Sequence, residues 1–235
     1  MFSRQKSFLL VVLLLLWATG CATYKSRRID IRPVNEYPNL SIAEGISVAA
    51  DPYGSGTKAE QGFDRDVTRE GFVPVNLIVR NDTDEQVRIN REKIALIDEN
   101  EVVYRPVSSN DMSDKFKKNV IAHFLAGSVI SVAVGVVSSV SAILANRKMK
   151  ADWQRKEIPD QLVLQPGKQI HGFVYFKLPQ GQTTTVSKLY LESERLNSGK
   201  TVRVELTPRD NESIVTISPP DPREPKDHSI TAANP

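Results

Sequence analysis

Alternation of apolar and polar residues is the feature that most constrains the fold of this chain. In the segment FVPVNLIVRN, one face of an extended strand would carry Val73, Val75, Leu77 and Val79. This two-residue period is typical of a half-buried strand. Similar short runs, separated by turn-forming residues, are GISVAA, QVRIN, KIALID, VVYRP, QLVL, IHGFVYFKLP, VSKLYLES and KTVRVEL. Seven or more such strands predict a mainly β fold, an antiparallel β-sandwich that buries two inward faces.

The first residues have the layout of an export signal. Arg4 and Lys6 precede an uninterrupted apolar run from Phe8 to Trp17, and small residues follow. A run of ten residues is well short of the roughly 20 that span a bilayer as a helix. We therefore predict that residues 1–20 are a secretory signal that is removed.

Cys21 is the only cysteine, so no intramolecular disulfide can form. The stretch Ala18-Thr19-Gly20-Cys21 resembles the bacterial lipobox, although Ala18 stands where the family usually has Leu. The resemblance implies cleavage between Gly20 and Cys21, and a covalent diacylglycerol with an N-acyl chain on Cys21. Several acyl chains would anchor the protein stably, because a single chain binds a membrane only marginally. The alternative is a cysteine buried in a core.

The residue after that cysteine bears on location. Gram-negative lipoproteins that stay in the inner membrane tend to have Asp there, whereas this chain has Ala22. The resemblance therefore implies a lipid anchor in the outer membrane of a bacterial cell envelope, most simply facing the periplasm.

Composition divides the chain into five expected segments. Prolines and sparse apolar residues mark a tether after the signal and a disordered tail at the end. A break in the strand pattern marks an insertion within the sandwich. The segments are the signal peptide 1–20, the lipidated tether 21–42, the β-sandwich 43–208, the apolar helical insertion 109–150 within it, and the Pro-rich tail 209–235.

The strand segments also resemble a known class of domain. The pair VNLIVRNDTDEQVRI…IALIDENEVVYRP and LVLQPGKQIHGFVYFKLP is similar to the immunoglobulin-like domains of bacterial surface lipoproteins, most of which have no known function. The resemblance covers about half of the mature chain and implies a fold. It brings no catalytic residues.

An apolar stretch interrupts the strand pattern. Residues 124–145 include no charged side chain, and as a helix they would extend about 33 Å, the thickness of a bilayer core. The flanking cations are Lys115, Lys117, Lys118, Arg147, Lys148 and Lys150, which suit anionic head groups. A straight crossing would split the sandwich across the membrane. We therefore expect an inserted long apolar helix or helical hairpin, with residues 119–146 in contact with a membrane or a protein partner.

Small residues recur every four positions in this stretch. They are Gly127, Ser131, Gly135 and Ser139. This spacing places them on one helical stripe, where another helix can approach closely. The stripe therefore predicts helix association or membrane contact, through a homo-oligomer, an envelope protein partner or a hairpin near Gly135. The remaining alternative is a helix that packs on its own domain.

No motif for chemistry is present in the sequence. The three histidines have no metal-ligand spacing, and there is no nucleophile elbow. The basic groups lack interleaved aromatic residues, so nucleic-acid binding is not expected. We predict a non-enzymatic, membrane-anchored envelope lipoprotein that binds or scaffolds, without a cofactor or metal. The alternatives are a lipid carrier or a pore or secretion-complex component assembled through the small-residue helix, and an enzyme with a loop-built site.

Overall fold

The computed structural model describes residues 24–117, 132–180, 184–207 and 215–217. Eleven strands lie in these ranges: β1 Ser41–Ala43, β2 Ile46–Pro52, β3 Phe72–Asn81, β4 Val87–Asp98, β5 Val103–Tyr104, β6 Pro106–Val107, β7 Gln161–Leu164, β8 Gln169–Lys177, β9 Thr184–Arg195, β10 Thr201–Leu206 and β11 Val215–Ile217. The α-helices are α1 Gly56–Phe63, α2 Ser109–Phe116 and α3 Val132–Lys156. Two short 3₁₀ turns cover Val34–Glu36 and Val67–Glu70.

The described residues form two compact units. We call the first the helical unit; it contains residues 24–26, 113–117 and 132–155. The second, the β unit, contains residues 27–112 and the described residues from 156 onward.

The β unit holds two antiparallel sheets. The first has the order β1-β2-β3-β8-β6, and the second has the order β10-β9-β4-β5, with β7 paired to β4 and β11 paired to β9. The prediction of a mainly β fold with antiparallel strands is therefore confirmed.

The predicted inward faces form one hydrophobic core. The four alternating residues of β3 are all buried in it, together with residues from the runs around β4, β8, β9 and β10. Twenty-two buried residues make up this cluster, and both sheets contribute to it. The period-two pattern therefore identified the core side of these strands correctly.

One strand is longer than the sequence indicated. The runs QVRIN and KIALID look like successive strands, because the polar residues Arg91, Glu92 and Lys93 lie between Ile89 and Ile94. The structure joins them in the single strand β4, whose pairing with β9 shifts register between Ile89 and Ile94. A bulge of this kind accommodates unpaired polar residues while the strand continues.

Helix α1 lies where the sequence analysis gave no helix. The Ser55 side chain accepts a hydrogen bond from the Lys58 amide at 3.4 Å, which caps the first turn. The helix ends at Asp64, which adopts a left-handed conformation.

The expected long apolar helix is not supported. Helix α3 begins at Val132 and continues to Lys156, so its second half is rich in charged residues. Within the described ranges, no helix is long and apolar enough to cross a membrane. Residues 118–131, the other part of the expected apolar segment, lie outside those ranges. The reason for the difference is that Ala142 and Ala145 belong to the buried side of a helix with two unlike faces.

Two terminal segments carry structure in the described residues. From the segment expected as a tether, Val34 and Tyr37 are buried and pack with Ala49 and Ile78 on the outer face of the first sheet. From the segment expected as a tail, Val215–Ile217 pairs antiparallel with β9.

Candidate functional site

The sequence analysis named six site residues. Gly20, Cys21, Gly127 and Ser131 lie outside the described residues. Gly135 and Ser139 lie in the first part of α3. The description of these ranges therefore does not test lipidation or the association of the small-residue stripe.

A buried polar cluster begins three residues after Cys21. Tyr24 is 7% exposed, and its hydroxyl donates a hydrogen bond to Asp152 Oδ2 at 2.6 Å. The same hydroxyl accepts a hydrogen bond from Trp153 Nε1 at 3.0 Å. The Phe116 ring meets the fully buried Trp153 ring edge-on, with the ring centroids 5.8 Å apart. We call these four residues the Tyr24 cluster.

Asp152 is the polar centre of this cluster. Its carboxylate is 4% exposed and also accepts a hydrogen bond from the Ser26 hydroxyl. Arg155 lies 3.7 Å from Asp152 Oδ1, with most of its own side chain in solvent. A buried carboxylate needs such donors, because its desolvation would otherwise cost several kcal/mol, on the order of what an unpaired buried charge costs.

The cluster limits how far the lipid-bearing residue can lie from α3. Three residues of fully extended chain span at most about 11 Å. Cys21 is therefore within about that distance of Tyr24, and Tyr24 contacts the last turns of α3.

Helix α3 exposes an apolar patch followed by a basic one. Val140, Ile143 and Leu144 are 50%, 37% and 50% exposed, and their spacing of three and four places them on one side of the helix. Arg147 and Lys148 continue the same side and are also exposed. We call these five residues the α3 face. The buried side of the helix carries Ala142, Ala145, Met149 and Trp153.

The charge of this helix side has one sign. In the described stretch 140–155, the only carboxylate is Asp152, and it is buried in the Tyr24 cluster. Arg147 and Lys148 make no ion pair with any residue that the structure describes. The α3 face is therefore basic and apolar.

A groove in the β unit is a second candidate. It encloses about 390 Å³ and is lined by Asn90, Arg91, Glu92, Pro106, Asp160 and Gln161. The Arg91 guanidinium forms ion pairs with both Glu157 and Asp160, so its charge is neutralised. Glu157 also accepts hydrogen bonds from Ser109, at 3.0 Å from the amide and 2.5 Å from the hydroxyl. This network joins the start of α2 to the residue after α3, and we interpret it as a structural clip.

A third candidate is an aromatic cluster on the outer face of the first sheet. The rings of Tyr53, Phe63 and Phe173 meet edge-to-face, with centroids 4.9 to 6.0 Å apart. Burial raises the pKa of Tyr53 to about 12, and the nearby Asp51 carboxylate acts in the same direction. Asn76 lies opposite Phe173 in the pairing of β3 with β8. Its side chain is fully buried, and neither its amide nitrogen nor its amide oxygen has a hydrogen-bond partner.

Two kinds of signal separate the residues that were anticipated from those that were missed. Among the described residues, no group of three or more His, Cys, Asp or Glu side chains could hold a metal ion. The sequence analysis missed Tyr24, Asp152 and Trp153, because about 128 residues separate Tyr24 from its partners and no local spacing connects them. The one available signal was an aromatic residue in a segment otherwise expected to be a tether.

Comparison with known proteins does not assign a family. No protein-family model matches the chain, and no curated protein matches it. A crystal structure to which it is similar is that of the yjhA protein from Bacillus subtilis, at 13% sequence identity and a TM-score of 0.33. The match covers 72% of this chain and 97% of the yjhA chain.

Proposed function

We propose that the chain is a non-enzymatic bacterial envelope lipoprotein, anchored by acyl chains on Cys21, whose β unit is a binding or scaffolding module. The observation that carries the proposal is the Tyr24 cluster. A residue three positions after the proposed lipid attachment point is hydrogen-bonded to α3 rather than separated from it by a long spacer. Acyl chains on Cys21 would therefore hold the helical unit close to the membrane.

We also propose that the β unit is immunoglobulin-like. An immunoglobulin constant-type sandwich has the strand order A-B-E-D in one sheet and C-F-G in the other. The run β2-β3-β8-β6 follows the first order, and the run β4-β9-β10 follows the second. The full antiparallel pairing of these strands supports the same topology.

The outer-membrane location is part of the proposal. It rests on Ala22, which stands where an Asp would retain a lipoprotein in the inner membrane. Changing Ala22→Asp should move the protein from the outer-membrane to the inner-membrane fraction without changing its lipid content.

Metabolic labelling with an alkyne fatty acid in a Gram-negative host tests the anchor. The full chain should take up label and fractionate with membranes, and Cys21→Ser should lose the label. Tyr24→Phe is the matched control, because it changes the cluster but keeps the proposed acylation residue. An unlabelled wild-type chain, or label that persists in Cys21→Ser, would contradict the proposal.

A further inference from the structure

We propose that the α3 face, Val140, Ile143, Leu144, Arg147 and Lys148, is a docking surface for an anionic lipid leaflet. The inference deepens the proposed function, because it assigns a second membrane contact to the unit that carries the lipid anchor. The occupant is the lipid surface itself, with anionic head groups over the cations and acyl chains near the apolar residues.

The order of residues along the helix fits an interfacial contact. The apolar patch occupies one turn and the cations follow on the next turn of the same side. A helix that lies in the plane of an interface has this arrangement, with apolar side chains at the acyl boundary and Lys or Arg at the head groups. Val140 to Lys148 spans about 12 Å, so the surface is a local contact and not a crossing.

Charge selects lipid over a typical protein partner. Each Lys or Arg near an anionic membrane surface favours binding by about fivefold, whereas a nearby carboxylate would oppose it. The stretch 140–155 has no exposed carboxylate, because Asp152 is buried by Tyr24 and Ser26. The face therefore presents positive charge without an opposing group.

The path of the chain places both contacts on one unit. The segment 1–23 ends at Tyr24, which is bound to Asp152 and Trp153 on the same helix that carries the face. An acyl anchor at Cys21 would raise the local concentration of lipid around α3. A weak surface contact then becomes effective, as two linked binding events reinforce each other.

The test uses the full mature chain with Cys21→Ser, which carries no lipid. Its outcome therefore does not depend on whether Cys21 is acylated, and the two proposals can fail separately. We expect this protein to co-sediment with vesicles of phosphatidylglycerol and phosphatidylethanolamine and to bind phosphatidylcholine vesicles much more weakly. Added salt should weaken the binding to anionic vesicles, because it screens exposed charges.

Paired substitutions locate the surface. Arg147→Gln with Lys148→Gln should weaken partitioning onto anionic vesicles by roughly thirty-fold, about fivefold for each cation. The matched control, Lys93→Gln with Lys168→Gln, removes the same charge from exposed positions of the β unit and should change binding far less. Trp153 fluorescence reports whether each variant keeps the native Tyr24 cluster.

A second pair tests the apolar part. Ile143→Ser with Leu144→Ser should weaken vesicle binding, whereas Val102→Ser with Val103→Ser, at similarly exposed positions of the β unit, should not. Equal binding by both charge variants would overturn the proposal. It would also be overturned if the Ile143→Ser and Leu144→Ser pair converted an oligomer to a monomer while vesicle binding stayed unchanged, because the occupant would then be a second copy of the chain.

Discussion

Replacing Asn76 by Leu should stabilise the protein. Asn76 is fully buried in β3, and its amide nitrogen and oxygen have no hydrogen-bond partner in the described chain. Burying an amide without partners costs about 1–3 kcal/mol by protein mutational data. Leu has a similar branched shape and carries no polar atoms, so Asn76→Leu removes that cost.

The expected gain is about 1–3 kcal/mol in the free energy of unfolding, reduced by up to about 1 kcal/mol if the larger Leu crowds the Phe173 ring. With a urea m-value of about 2 kcal/mol per molar, the unfolding midpoint should rise by roughly 0.5–1 M. Urea titration followed by far-UV circular dichroism in the Cys21→Ser background measures this change through the strands of the β unit.

Asn81 provides a matched control in the same strand. It is also fully buried, but its Nδ2 donates to the Glu85 and Leu164 carbonyls at 2.7 and 3.0 Å. Its Oδ1 accepts from the Thr83 amide and hydroxyl at 3.0 and 2.7 Å. Asn81→Leu leaves these groups without their partner and should destabilise the protein by about 3 kcal/mol or more.

The pair of variants can refute the reasoning. A destabilised Asn76→Leu, with a loss comparable to that of Asn81→Leu, would mean that the Asn76 amide makes hydrogen bonds in solution, for instance to an ordered water. Opposite signs for the two substitutions would support the assignment of Asn76 as an unsatisfied buried amide.

Three further predictions concern the other clusters. Tyr24→Phe leaves Trp153 Nε1 without its acceptor, so the helical unit should lose about 1–3 kcal/mol and the Trp153 emission should shift to longer wavelength on thermal or urea titration; an unchanged spectrum and midpoint would contradict the cluster. Arg91→Ala leaves the Glu157 carboxylate, 11% exposed, without its cation, and should cost about 3 kcal/mol, measured by calorimetry; a neutral result would mean that Glu157 is well solvated. Tyr53 has a folded pKa of about 12, above the ordinary 10.0, so its stabilising effect is complete below pH 10 and is lost as the pH rises toward 12; urea titrations across this range should show a smaller loss in Tyr53→Phe, and an identical loss would refute the assignment.

The sandwich could be predicted because its signal is local. In β3, every second residue from Val73 to Val79 is apolar, and the buried face follows from the strand period alone. The two runs that form β4 were separated incorrectly because a register shift depends on the partner strand β9, which a local pattern does not contain.

The parts that were missed depend on distant contacts or on a competing local signal. The cap at Ser55 is local, but the glycines on both sides of it favour a turn interpretation. The Tyr24 cluster depends on a partner about 128 residues away, and neither Tyr24 nor Asp152 shows it alone. The apolar stretch 124–145 suggested a helix that is apolar on all sides, but its last residues belong to a helix whose sides differ because Ala142 and Ala145 are buried.

The clip at Glu157 has a consequence for how this chain can be modified. Ser109 and Glu157 hold the two ends of the 47-residue excursion between them at hydrogen-bond distance, 3.0 Å from the Ser109 amide to the Glu157 carboxylate. Excursions whose ends meet are the ones that a host domain tolerates losing or exchanging. The excursion could therefore be cut out and replaced by a short loop, or exchanged for the corresponding piece of another protein, while the strands keep their register. In this sense the chain carries an interchangeable cassette on a fixed frame.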